Sequence, residues 1–250
     1  MELQDDTIRA LIELHRGLER QGPGDEAFSK QMLSMLPELP VTPRIADLGC
    51  GAGAGALMLA EHFQVQITAV DFSGPFLEEL RGRARKRGVD HLIRTVKADM
   101  GALEWPPAAL DLLWSEGAAY NLSFEGALKA WRPLIAPGGI AVVSEITWFA
   151  DDIPQEASSY WKAAYPHIAG ETENARRAGA AGFEVLGIHR LPSRAWWENY
   201  YEPLMQRMDT LRKSADAAMS KVLSETDAEI EMFRKYQNVY GYAFYLLRSA

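Results

Sequence analysis

Apolar positions near the start of the chain recur at helical spacing. Ile8, Leu11, Ile12 and Leu18 punctuate the charged residues of 5–20, which predicts an amphipathic helix. The Gln21-Gly22-Pro23-Gly24 turn stops it, and Asp25 stands where it can cap a second helix carrying Phe28, Met32, Leu33 and Leu36. Beyond the Pro37 to Pro43 region the period changes. Short apolar runs at 44–48, 65–70, 92–97, 110–114 and 140–145 predict strands, and 53–62, 73–87 and 122–135 predict the helices between them. A shorter or irregular piece near 100–107 is broken by Pro106 and Pro107. Strands that alternate with helices join through right-handed crossovers into a parallel, doubly wound sheet.

After the fifth strand only 183–190 and 240–248 retain strand character, separated by a long helical stretch with Trp196, Trp197, Tyr200 and Tyr201 near its start. The expectation is an α/β fold: a doubly wound, seven-stranded, mostly parallel sheet with N-terminal helices and a helical insertion between the last two strands. A single domain over 1–250 accommodates this, with N-terminal helices and a lid in 1–40, a ligand-binding core in 41–150, and an acceptor-side cap with the final strands in 151–250.

Composition narrows the partners. Of 250 residues, 34 are acidic and 26 are Lys or Arg, and the net charge of -8 disfavours nucleic acid or an anionic membrane as partner. The one basic run, Arg81, Arg83, Arg85, Lys86 and Arg87, reads as a solvated helix face. A single cysteine, Cys50, makes no intrachain disulfide and fits a reducing, cytoplasmic setting; no Cys and His cluster has metal-ligand spacing. Met1 to Ala10 lacks the pattern of an export signal, and no apolar run approaches the roughly 20 residues that span a bilayer. A monomer or homodimer acting on a small molecule is expected.

The chemistry concentrates in Ile45-Ala46-Asp47-Leu48-Gly49-Cys50-Gly51-Ala52-Gly53-Ala54-Gly55, a strand running into a glycine-rich turn and then a helix of small residues. Gly49, Gly51 and Gly53 let backbone approach a ligand closely, and the helix offers free N–H groups at its start. Asp71 ends the second strand 22 positions after Gly49, where its carboxylate can hold a ribose diol. Gly49, Gly51 and Ala54 also satisfy a dinucleotide fingerprint, so a nicotinamide cofactor stays open at this point.

Asp47 before the turn, Asp99 after the third strand and Pro137-Gly138-Gly139 before the fifth shift the balance. The ensemble resembles the class I methyltransferases that use S-adenosylmethionine (SAM). The resemblance implies that Asp47 orients the methionine end, Asp71 holds the ribose and Asp99 meets the adenine amino group, with Phe72 and Met100 flanking the ring. A closer likeness, to small bacterial methyltransferases of the type 11, UbiE-like group, is carried by Arg20-Gln21-Gly22-Pro23-Gly24, Trp114-Ser115-Glu116-Gly117-Ala118-Ala119-Tyr120-Asn121, Ser144-Glu145-Ile146-Thr147-Trp148-Phe149, Ala164-Tyr165-Pro166 and Tyr240-Gly241-Tyr242-Ala243-Phe244-Tyr245. It implies a lid at Gln21 to Gly24 over the methionine part, and Ser115 and Glu116 are counted with the cofactor contacts.

Methyl transfer needs a nucleophile aligned with the sulfonium methyl, so positioning can suffice without a base. Glu116 and Glu145, at the ends of strands four and five, are candidate bases expected to lie near enough to couple, and His167 is a third. Tyr120, Asn121, Trp148, Tyr165, Trp197 and Tyr200 are candidate walls of the acceptor pocket. The leading expectation is methyl transfer to O, N or C of a small molecule. A nicotinamide-dependent oxidoreductase on a related fold and a SAM-binding protein without catalysis are the alternatives.

Overall fold

The computed structural model describes residues 2–250, with side chains from Asp6 onward, so part of the Met1 to Ala10 reading lies outside the described residues. Helix α1 (Glu2–His15) leads through a strap to α2 (Glu26–Ser34), which Asp25 caps by accepting a hydrogen bond from the Phe28 N–H at 2.8 Å. Then come β1 (Ile45–Leu48), α3 (Ala54–Phe63), β2 (Ile67–Asp71), α4 (Gly74–Arg87), β3 (Ile93–Lys97), β4 (Leu110–Ser115), α5 (Phe124–Trp131) and β5 (Ile135–Trp148). The remainder is α6 (Gln155–Ala164), β6 (Ala169–Gly170), α7 (Glu171–Ala180), β7 (Phe183–Arg190), α8 (Ser193–Trp196), α9 (Glu202–Leu211), α10 (Ala217–Tyr236) and β8 (Tyr240–Ser249). A π-helical turn, Trp197–Tyr201, joins α8 to α9.

The sheet order is β3-β2-β1-β4-β5-β8-β7, with β8 antiparallel to both neighbours and the two-residue β6 paired to the end of β5. All seven expected strands form, and β6 is an eighth that is too short to leave a periodicity. The reversal of strand order at β1/β4 opens the crevice where open α/β sheets bind ligands. One face packs on helices α1 to α4 and α8 to α10, through residues such as Leu14, Met32, Leu57, Trp114 and Phe233. The other packs on α5 and α7 through Phe124, Trp131, Ala178 and Tyr245.

Residues 100–107 are irregular, as expected where Pro106 and Pro107 remove two donors that a helix requires, and one local expectation changes. Strand five begins at Ile135 rather than 140 and carries Pro137-Gly138-Gly139 as an irregularity within it, with Gly138 at φ +74°. No helix among the described residues is long and apolar enough to cross a membrane.

Candidate functional site

A cavity of about 600 Å³ opens at the carboxyl edge of the sheet, over β1, β2 and β4 and under α1 and the strap that follows it. Its floor is the glycine turn. The N–H groups of Gly49 and Cys50 both donate to the Val70 carbonyl, at 2.9 and 3.0 Å, curling the chain tightly over β2. Gly49 (φ +74°) leaves no room for a side chain, since a Cβ there would stand 2.2 Å from the Ala118 Cβ. Gly51, Phe72, Met100 and Asn121 line the same space. Gly53 does not: its missing Cβ makes way for Leu80, so it serves the packing of α3. Gly24 lies behind the Arg20 guanidinium.

Four acids surround the cavity. Asp71 accepts the Gly51 N–H on Oδ2 and the Ser73 N–H on Oδ1, both at 2.8 Å, and each oxygen keeps a lone pair for a ligand hydroxyl. Burial raises its pKa and these amides oppose the rise. Asp99 accepts the Gly101 N–H at 2.8 Å and reaches the cavity wall. Glu116 is fully engaged: Oε2 takes Arg20 Nη1 at 2.8 Å, and Oε1 takes the Ser29 hydroxyl at 2.7 Å and Trp114 Nε1 at 2.8 Å.

Asp47 is the exception, 2% exposed and with no partner at all for Oδ2. Burial first, and the Glu116 charge second, push its pKa well above the usual carboxylate range, while the Ala56 amide and Arg20 oppose. A carboxyl oxygen left bare at the wall of a cavity is a fit for an ammonium or other cationic group, which would favour its ionised form.

The expected coupling of Glu116 with Glu145 does not occur. Trp114 lies opposite Val142 on one sheet face, so Glu116 continues that face while Glu145, beyond Val143, takes the other. Glu145 is 1% exposed and neither oxygen has a hydrogen-bond partner. Burial raises its pKa to about 8; the nearby Tyr165 hydroxyl and Arg177 limit the rise, although the hydroxyl lies outside hydrogen-bond geometry. The acid that couples to Glu116 is Asp47.

Several other expected residues stand away from the cavity. Ser115 is fully buried and donates to the Leu48 carbonyl at 2.8 Å, fastening β4 to β1. Trp148 packs edge-on against Tyr240, and Trp197 Nε1 donates to Gln237 Oε1 at 3.1 Å. Tyr165 supports Tyr120 from beneath, with ring centroids 6.3 Å apart, and Tyr120 itself lines the cavity. His167 is exposed and outside it. Tyr200 lies behind α1 and bonds to His15 at 3.0 Å.

The residues that sequence reasoning missed sit on α1 and the strap: Ile8, Leu11, Ile12, His15 and Arg20. Positions 8, 11, 12 and 15 form one helical stripe, while Ala10 and Leu14 on an adjoining stripe enter the core. The width of that apolar surface was the signal available, because it exceeds what one packing face needs. The strap is held down by Gln21, whose Oε1 accepts the Ala52 N–H at 2.8 Å, and by Arg83, which donates to the Leu18 and Glu19 carbonyls. Among the described residues no group of three or more His, Cys, Asp or Glu could hold a metal ion.

Comparison with known proteins agrees with this geometry. Residues 45–139 match the family model described as a methyltransferase domain. Over 113 residues, 45% of this chain and 41% of the relative, the sequence is 33% identical to 27-O-demethylrifamycin SV methyltransferase of Amycolatopsis mediterranei. Over 127 residues, 50% of this chain and 45% of the relative, it is 27% identical to sarcosine/dimethylglycine N-methyltransferase of Halorhodospira halochloris. The chain thus spans less than half the length of these curated relatives. A SAM-dependent methyltransferase from Geobacter sulfurreducens, solved with S-adenosylhomocysteine, shares the fold with a TM-score of 0.80, 18% identity and coverage of 97% of this chain and 98% of that one. Residues 45–139 thus match a methyltransferase domain, and the chain as a whole shares its fold with a methyltransferase solved with S-adenosylhomocysteine.

Proposed function

We propose that this protein transfers a methyl group from SAM to a small-molecule acceptor. The observation that carries the reading is the bare, buried Oδ2 of Asp47 at the wall of a cavity floored by the glycine turn. SAM supplies an electrophilic methyl on a sulfonium and a cationic ammonium. Asp47 is suited to accept that ammonium, Asp71 the ribose hydroxyls, and Asp99 the adenine amino group, with Phe72 and Met100 beside the ring. Gln21 holds the strap against the glycine turn, which keeps water from the reacting centre. On this reading 1–250 acts as one domain, with the helices of 1–40 as lid and 151–250 as the acceptor-side cap.

Calorimetric titration with SAM, S-adenosylhomocysteine and oxidised nicotinamide dinucleotides tests the proposal. The first two bind and the last do not. Burial raises the Asp47 pKa in the free protein and a cation lowers it again, so binding is expected to release protons and to tighten as pH rises. Asp47→Asn weakens SAM about 30-fold, equivalent to ~2 kcal/mol, and removes the proton release. Binding of nicotinamide dinucleotides instead would support the oxidoreductase reading. SAM binding without transfer to any component of a metabolite extract would support a non-catalytic one.

A further inference from the structure

The sheet has a second hollow, at the opposite end of its strands from the cavity above. At one sheet edge Thr68 of β2 pairs with Arg94 of β3, so both side chains leave the same face. Val70 and Val96, two residues further along each strand, place that face on the side of α5 and α7. Here the cover is the irregular stretch 98–109 in place of a helix, because Pro106 and Pro107 interrupt it. Trp105 packs down onto the core from that stretch. Beside it a space of about 540 Å³ stays open toward the amino ends of β1 and β2.

Four polar side chains on its walls are unengaged: the Arg94 guanidinium, the Trp105 indole N–H, the Thr68 hydroxyl and the Gln66 amide. Among the described residues no hydrogen bond or ion pair holds any of them. The described lining also contains no carboxylate. Arg44 is the other cation there, and Asp111 already takes it in a two-pronged pair at 2.7 and 2.9 Å. The hollow therefore presents one uncompensated positive charge in a chain whose net charge is -8.

A guanidinium fork matches the two oxygens of a carboxylate. One free charge suits a monoanion, whereas a phosphate dianion calls for a second free cation. The Trp105 ring, Pro43 and Pro106 offer flat apolar surface for the body of the ligand, and Thr68 and Gln66 can bond to its polar substituents. We propose that this hollow is a second binding site, for a small monocarboxylate with a flat apolar body, in which Arg94 grips the carboxylate and Trp105 stacks on the ring. None of its lining residues borders the cavity at the carboxyl edge, so the site stands independently of the methyltransferase reading.

The test uses the full chain with 15N in its tryptophan indoles, titrated with 1-naphthoate up to about 10 mM. Trp105→Phe assigns the Trp105 resonance. Naphthoate moves that resonance along a saturating curve, and 1-naphthamide, alike in shape but uncharged, binds about tenfold or more weakly. Inorganic phosphate at the same concentration leaves it in place. Arg94 is exposed, and Arg94→Met weakens naphthoate about tenfold or more while the urea midpoint stays unchanged. No shift, a shift confined to other tryptophans, equal binding of the amide, or undiminished affinity in Arg94→Met overturns the site. Phosphate binding as tightly as naphthoate overturns the monocarboxylate class. The comparison of naphthoate with its amide is made on the unaltered protein, so it decides the matter even if Arg94→Met fails to fold.

Discussion

The carboxyl ends of β4 and β5 lie side by side, and each offers a glutamate, yet the two acids live in opposite circumstances. Glu116 has a guanidinium, a hydroxyl and an indole N–H on its two oxygens. Glu145 is more deeply buried, at 1% exposure, and has no hydrogen-bond partner. The difference follows from parity. Side chains alternate across a sheet, so acids one step apart in register face different layers, one toward the strap and cavity, the other toward α5 and α7. Proximity along strand ends therefore says little about coupling until register is known.

Removing each acid should move stability in opposite directions. Glu116→Ala strands the Arg20 guanidinium, the Ser29 hydroxyl and the Trp114 indole N–H, and should cost ~3–5 kcal/mol in urea denaturation without ligand. A cost below ~1 kcal/mol would mean that the network contributes little. Glu145→Gln should instead stabilise the protein by ~2 kcal/mol at pH 8.5, because ionisation of the buried carboxyl is avoided.

The sign of that second effect depends on pH. The folded state holds the Glu145 proton up to about pH 8, whereas the unfolded chain releases it near 4.5. The stability from this group is complete below 4.5 and is lost as pH rises through 8, and Glu145→Gln should flatten the decline. Denaturant midpoints measured from pH 5 to 9 report it, and a decline of equal slope in the variant would locate the titration elsewhere. The smallest effect is expected at Tyr165, whose hydroxyl accepts the Phe124 N–H at 3.2 Å. Tyr165→Phe should cost ~1 kcal/mol through that orphaned amide and raise the Glu145 pKa further, so that the decline with pH shifts upward.

Much of the cofactor half was legible in the chain. Apolar runs bounded by Gly and Pro placed every main strand within a few residues, and Asp47, Asp71 and Asp99 could be assigned to successive strand ends because a strand is a local object. The acceptor half was less so. Residues 155–180 hide α6 and α7, and aromatic residues such as Trp148 and Trp197 that looked available for a pocket pack against one another or cap a loop.

By itself, the order of residues determined the alternation of strands and helices, the glycine turn and the series of acids that follows it, since each depends on a short window of spacing and backbone freedom. Which carboxylates meet, which stay bare, and that α1 turns Ile8, Leu11 and His15 toward the cavity were decided only in three dimensions. Those outcomes depend on register between strands and on where a helix lands, and both are settled by burial of surfaces far apart in the chain.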